Sequence, residues 1–477
     1  MVLASRRSLL ALEAPVSEVG NIIGELADVV GAANALTGAD AAEDYGHDEA
    51  LATQPVRPAY VVRPGSAEEV AGIVRIAGAH GIPITARGTG SGMCGACRPT
   101  GDGIVVSFER MNAVLEIDTG NQVAVVQPGV TLSELDERAN AEGLTYPVQP
   151  GELSASLGGT IATNAGGMRA VRYGVTRNNV LGVQAVLGTG EIIRSGGRIT
   201  KISTGYDLTQ LIIGSEGTLG LVTEAVVKLQ PKLAASQTVM APFGDLDAVI
   251  KAVPRIIALG VAPSILEYID ALTMAAITYT AKLSLGIPDA VRDKAQAYLV
   301  VQLENAESSR VDEDVTKVGE LLGELGAIDV YVLDGNPAHK LIEAREHAFW
   351  TAKAAGAHEI VDIVVPRQAM PEFFAGVRAL VEKTGSGSGV AGCGHAGDGN
   401  VHLAVFQADK DIRAELTHGM FEIGMSLGGA ISGEHGIGRE KKVHFLTLED
   451  PAKIELMRRI KTAFDPAGIL NPGVLFD

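Results

Sequence analysis

Glycine is gathered into runs in this chain. The 477 residues include 58 glycines, and many fall in short clusters: ARGTGSGMCGA (86 to 96), LGGTIATNAGG (157 to 167), LIIGSEGTLG (211 to 220), GHAGDGNVH (394 to 402) and SGEHGIG (432 to 438). Glycine disfavours helix and central strand, so such runs are expected to be turns or close approaches of backbone to a ligand. The strings between them are short, apolar and β-prone. This pattern predicts an α+β fold of short elements whose turns converge on something bound. With 46% hydrophobic and 20% charged residues the chain is not of the disordered class, and its length predicts two or three domains.

Charge and cysteine usage narrow the class. A formal charge of −18 argues against nucleic acid as partner. Three cysteines, Cys94, Cys97 and Cys393, cannot build a disulfide framework in so long a chain and suit a reducing, cytoplasmic setting. Cys94 and Cys97 form CGAC inside a glycine loop rather than at the start of a helix, which favours small residues packed around a ligand over a redox pair. The opening SRRSLLALEAP lacks the long apolar segment of an export signal, because Glu13 interrupts it. No run of about 18 apolar residues occurs, so no membrane span is expected.

The order of elements suggests two similar lobes followed by another domain. AYVV, a helix opened by a capping box in SAEE (66 to 69) with Val70, Ile73, Val74 and Ala77 at helical spacing, Gly81, and then IPIT read as strand, helix, strand. VAVVQPG (123 to 129) and TLSE (131 to 134) partly repeat the pattern. A polar stretch after Pro231 predicts a boundary near 236. Residues 237 to 425 alternate helix and strand, and 426 to 477 return to glycine-rich turns, one charged helix and a terminal NPG.

Two stretches carry chemistry on their residue types. Backbone N–H groups in 86 to 96 can form a nest for phosphate oxygens, although neither GxxxxGK[ST] nor a strand-to-helix GxGxxG is present. In GHAGDGNVH, His395 lies in a glycine turn, which Asp398 and Asn400 can stiffen, and His402 begins an apolar strand. Two histidines with Glu434 as a third ligand suit a divalent metal with open positions; on the residues alone, histidines satisfied by ordinary polar contacts remain the alternative. Adjacent side chains in an extended GEHG point opposite ways, so His435 need not share the role of Glu434.

Taken in order, ARGTGSGMCG, the PG and PGE turns at 128 and 150, LGGTIATNAGG, RYGVTRNNVLG, GYDLTQLIIGSEGTLG and GHAGDGNVH resemble the flavoproteins of the vanillyl-alcohol-oxidase superfamily. The similarity is to the branch of D-lactate, D-2-hydroxyglutarate and glycolate dehydrogenases and spans roughly 45 to 477. It implies an α+β fold: a two-lobed FAD-binding domain of the p-cresol-methylhydroxylase type with an N-terminal helix (1–236), an α+β cap (237–425) and a C-terminal segment that completes the active site (426–477). It implies that Arg87, Gly88, Thr89, Gly90, Ser91, Gly92, Met93 and Gly95 cradle the pyrophosphate. Pro150, Gly151, Gly158, Gly159, Thr163, Asn164 and Gly167 line the flavin, Gly217 and Val222 lie towards the nucleoside, and Asn471 joins the set. These loops hold no histidine at the family's attachment positions, so FAD is expected to be non-covalent, with Cys94 or Cys97 as the alternative linkage.

The resemblance also assigns roles. His395, His402 and Glu434 hold the metal (zinc, with manganese as the alternative), His435 is the base, and Arg345 in EAREHAFW holds the substrate carboxylate. A surface arginine paired with Glu343 or Glu346 is the other reading of Arg345. The implied reaction is oxidation of a D-2-hydroxy acid to the 2-oxo acid: the metal lowers the hydroxyl pKa, His435 takes the proton, and hydride passes to flavin N5. Electrons then leave to an electron-transfer flavoprotein, a quinone or a cytochrome, and a homodimer is the assembly considered. The hydroxyglutarate-specific members tend to have Thr, Lys and Asn where this chain has Phe349, Ile360 and Ala404, which favours a D-lactate-like or larger, less polar acid. A metallohydrolase, a partner-dependent glycolate oxidase subunit and a D-2-hydroxyglutarate dehydrogenase are the alternatives.

Overall fold

The computed structural model describes residues 16–333, 335–385 and 387–476; the arginine pair near the N-terminus lies outside the described residues. The helix Ala67–His80 shows how the first lobe is specified. Ser66 Oγ accepts the N–H of Glu69, Gly81 closes the helix at φ +64, and Val70, Ile73, Val74 and Ala77 are fully buried. Only half of the predicted capping box forms, because the Glu69 carboxylate accepts the N–H of Gly65 instead of Ser66. The helix carries the chain from strand Tyr60–Val62 to Ile84–Arg87. Both strands run parallel to Ile104–Ser107 between them, with Ala35–Thr37 antiparallel at the edge.

The second lobe is less similar than the sequence suggests. The Thr131–Glu134 capping box is complete on helix Leu132–Asn140. Its five strands, however, are joined antiparallel in the order Val114–Asp118, Val123–Val126, Leu221–Lys228, Val180–Val186, Ile192–Gly196. A helical crossover fixes parallel neighbours and a tight turn fixes antiparallel ones, so the lobes share elements but not topology.

The third sheet has eight strands, all paired antiparallel, from Tyr331–Leu333 at one edge to Ala430–Ile431 at the other. Alternation along Ala235–Phe243 covers both of its faces: Val239, Ala241 and Phe243 enter one core and Met240 the other. Beyond Ile431 the chain crosses to the first lobe. There Ile84 N–H donates to Ile469 O at 2.7 Å, and Asn471 N–H donates to Ile84 O at 2.7 Å. Among the described residues, no helix is long and apolar enough to cross a membrane.

Candidate active site

A cleft with about 1230 Å³ of empty space lies between the two lobes and the chain end. Its floor is the loop after strand Ile84–Arg87. A side chain at Gly88 would collide with Ser156 Oγ, so only glycine lets this loop pass that close to helix Leu157–Thr163. Of the predicted FAD residues, Arg87, Gly88, Thr89, Gly90, Ser91, Gly92, Met93, Pro150, Gly158, Gly159, Thr163, Gly217, Val222 and Asn471 line this cleft. Gly151 and Gly167 line a neighbouring chamber instead. Asn164 and Gly95 line neither: Asn164 ends its helix at φ +54 with Oδ1 accepting the N–H of Arg177, and Gly95 holds the left-handed bend behind the loop at φ +77.

Two acids of the cleft were not singled out in the sequence, although Glu216 lies inside the cluster LIIGSEGTLG. Asp48 is buried, and its carboxylate accepts the N–H groups of Ala50 and Cys97, which pins the loop. Glu216 is buried in the wall. Cys94 and Cys97 also line the cleft and are not joined to each other. Burial first, and then Glu216, pushes the Cys94 thiol well up; burial and Asp48 push Cys97 up to about 12. Neither sulfur is a thiolate near neutral pH, so neither has nucleophilic character there. His435 is the one histidine lining the cleft among the described residues.

The second chamber, about 690 Å³ of empty space, meets the cleft at Met93, Pro150, Glu434 and His435. The two histidines seven residues apart meet here because Gly389–Gly394 and Asn400–Phe406 form a hairpin in which Cys393 faces His402. The register leaves His395 in the turn with its ring 5.0 Å from that of His402. Asn400 does not stiffen its own turn; its amide donates to Asp362 Oδ1 at 2.7 Å on the adjacent strand Glu359–Val364. Glu434 Oε1 sits among three imidazoles, 3.2 Å from Nε2 of both His395 and His402 and 3.7 Å from Nε2 of His435. Glu434 Oε2 and both ring nitrogens of His402 are buried without hydrogen-bond partners. Orphaned buried atoms on one imidazole and one carboxylate, with His395 Nε2 turned to that same carboxylate, fit a divalent ion.

Two buried carboxylates missed in the sequence organise the group. Glu267 is fully buried and bridges His395 Nδ1 at 2.6 Å and Arg345 at 2.6 Å. With its Nδ1–H given to Glu267, the His395 ring presents Nε2 to the chamber. Burial opposes the charge on His395, but Glu267 and Glu434 outweigh it and raise the imidazole to about 10. Asp362, also fully buried, accepts through Oδ2 the N–H groups of Glu434 (3.0 Å) and His435 (2.9 Å) and the hydroxyl of Ser432 (2.7 Å). For His435 burial prevails over Asp362 and the imidazole falls to about 4, so it is neutral at pH 7. Neither Glu267 nor Asp362 belongs to a motif, since each sits inside an ordinary apolar strand, ILEYID or EIVDIV.

Arg345 ends helix Gly335–Glu346 and is 7% exposed. It is therefore no surface arginine paired with its helical neighbours; its partner is Glu267, and its Nε, buried without a partner, belongs to a side chain lining the chamber. The rest of the chamber wall includes Phe349, Ile360, Ala404, Ala348, Ala352 and Ala391.

Residues 58–196 match the family described as "FAD binding domain", and residues 232–475 match "FAD linked oxidases, C-terminal domain". The chain is 60% identical to an uncharacterised FAD-linked oxidoreductase of Mycobacterium tuberculosis, over 94% of this chain and 97% of that one. It is 37% identical to the glycolate oxidase subunit GlcD of Bacillus subtilis, over 88% of this chain and 89% of that one. It is also 37% identical to a D-lactate dehydrogenase of Archaeoglobus fulgidus, over 87% of this chain and 90% of that one. The solved structure of p-cresol methylhydroxylase superposes with a TM-score of 0.79 over 97% of this chain and 98% of that one; at 18% identity this likeness concerns the fold alone.

Proposed function

The chain belongs to the FAD-linked oxidases of the D-lactate, glycolate and D-2-hydroxyglutarate dehydrogenase group, and on that premise we propose that it oxidises a small, monocarboxylic D-2-hydroxy acid to the 2-oxo acid. One observation carries this reading: Arg345, the His435 imidazole and the His395, His402 and Glu434 group all line one chamber, which meets the cleft of the predicted FAD residues. Arg345 binds the substrate carboxylate through its unpaired donors. His435 takes the hydroxyl proton at a ring nitrogen. FAD, non-covalently bound, supplies the acceptor for the hydride from Cα. His395, His402 and Glu434 would hold a divalent ion, zinc or manganese, whose chemistry here is Lewis-acid polarisation of the substrate hydroxyl. An external carrier (an electron-transfer flavoprotein, a quinone or a cytochrome) completes the turnover.

The walls set the substrate class. Arg345 is the only arginine or lysine lining the chamber among the described residues, and Phe349, Ile360 and Ala404 face the space beside it. A second carboxylate would be desolvated there with no second arginine or lysine to meet it. D-lactate or a longer aliphatic homologue is therefore expected to reduce the flavin with kcat/KM roughly 10- to 100-fold above that of D-2-hydroxyglutarate. Anaerobic bleaching of the visible flavin bands with a panel of D- and L-acids measures this, and a preference for the dicarboxylate would overturn the assignment.

The purified protein is expected to be yellow and to release its flavin into the supernatant on acid precipitation, since both cleft cysteines are held as thiols. Flavin in the pellet would refute non-covalent binding, and failure to take up FAD on reconstitution would refute the reading as a whole. The likeness to the GlcD subunit favours one second reading, a chain that binds FAD but needs a partner for turnover. Flavin that no hydroxy acid reduces in the isolated chain would support it.

A further inference from the structure

Residues 432–438 are gripped from two sides by buried carboxylates. On the side of the cap sheet, Asp362 accepts the N–H groups of Glu434 and His435. On the side of the FAD lobes, Glu216 accepts the N–H groups of Ile437 through Oε1 at 2.8 Å and of Gly438 through Oε2 at 2.7 Å. The fit between the turn and this second carboxylate is close. Gly436 and Gly438 both hold positive φ, +84 and +55; a side chain at Gly436 would lie 3.1 Å from the Glu216 carboxyl carbon, and one at Gly438 would collide with Cys94 O. The same turn is tied to the floor of the cleft by the N–H groups of Arg439 and Glu440, which donate to Cys94 O at 2.9 and 3.2 Å.

Glu216 is itself held by the cofactor side. It lines the cleft beside Gly217 and Asn471, and its carbonyl accepts the Asn471 amide at 2.8 Å. It sits at φ +52, a conformation that a residue other than glycine keeps only when its surroundings enforce it. The FAD-binding loops and the segment bearing His435 thus share one buried carboxylate, in a chain where His435 lines both the cleft and the chamber.

We infer that Glu216 is the positioning residue that sets His435 against the cofactor: Asp362 fixes the turn to the cap, and Glu216 fixes it to the FAD lobes. The kinetic consequence rests on His435 being the base of the proposed reaction; the structural anchor does not. Without the Glu216 carboxylate, Ile437 and Gly438 lose their acceptors while the metal group and Arg345 keep theirs, so the base is displaced but substrate and metal are still held.

Two variants of the FAD-loaded protein test this. Glu216→Gly relaxes the backbone strain and removes the carboxylate, and Glu216→Gln keeps the side chain's size with one acceptor oxygen. Both are expected to retain FAD and metal. Amide hydrogen exchange across 432–441, followed by mass spectrometry, should be faster than in wild type. Flavin reduction by a D-2-hydroxy acid should slow by about 10- to 100-fold with little change in substrate dissociation constant, the size expected for a misplaced reacting group. Unchanged exchange in both variants, or a slower reduction explained wholly by lost FAD, would overturn the inference. If no D-2-hydroxy acid reduces even the wild-type flavin, the proposed reaction falls, and the exchange measurement still upholds or overturns the anchor.

Discussion

His435→Asn is expected to keep its FAD and metal and to reduce its flavin with substrate roughly 10²- to 10⁴-fold more slowly than wild type, the usual worth of a positioned general base. Its backbone N–H, not its ring, is what Asp362 Oδ2 holds at 2.9 Å, so the turn survives loss of the imidazole. The ring lies flat against that of His402, with centroids 5.0 Å apart and planes 14° apart, and an asparagine fits the vacated space. The neighbouring Glu434→Gln is expected to fail differently. Glu434 Oε1 is the shared centre of His395 and His402, 3.2 Å from each, and a neutral amide cannot supply the charge of that third ligand. It should lose metal and, through that, turnover. Anaerobic stopped-flow reduction and metal analysis of both variants decide the matter. Wild-type reduction in His435→Asn, or metal loss there equal to that of Glu434→Gln, would end the division of roles.

The second large effect is expected at Glu267, which no motif marks. Glu267→Gln leaves the Arg345 guanidinium buried against a neutral amide and removes the acceptor that fixes the His395 ring. Breaking a buried pair by removing one partner costs about 3–5 kcal/mol, because an uncompensated charge remains. Loss of a carboxylate behind a ligating histidine weakens metal binding by roughly 10- to 100-fold. Both losses should appear in one variant, as a lower denaturant midpoint and a weaker metal titration. The double variant Glu267→Gln/Arg345→Met should regain most of the stability, since no buried charge is left unpaired, and still fail to bind substrate carboxylate. A single variant as stable as wild type would show that Glu267 and Arg345 are solvated or otherwise compensated.

The glycines that line the cleft were legible in the sequence because their clustering announces them. A loop that must pass Ser156 without a Cβ, as at Gly88, can only be glycine, and such positions stand out in any chain. The histidines were legible for a related reason: a turn of glycines between His395 and a strand beginning near His402 is a hairpin, and a hairpin returns its two ends to each other. Local periodicity and capping likewise gave the first lobe's helix, down to Val70, Ile73, Val74 and Ala77. Topology was not local. The strand–helix pattern that recurs in the second lobe says nothing about whether strands pair with sequence neighbours or with strands a hundred residues away, as Val123–Val126 does with Leu221–Lys228. The electrostatics of the site were even less local. Glu267 and Asp362 lie in unremarkable strands and Glu216 is an unmarked acid inside a glycine cluster, and each becomes decisive only when folding buries its carboxylate against groups 128, 73 and 222 residues away. Sequence by itself determined which loops line the cleft and which histidines meet, since both follow from backbone freedom over a few residues. Only the tertiary structure decided which carboxylates hold those histidines and Arg345 in place, because a charge is assigned its partner by burial and distance, and neither is written in the residues beside it.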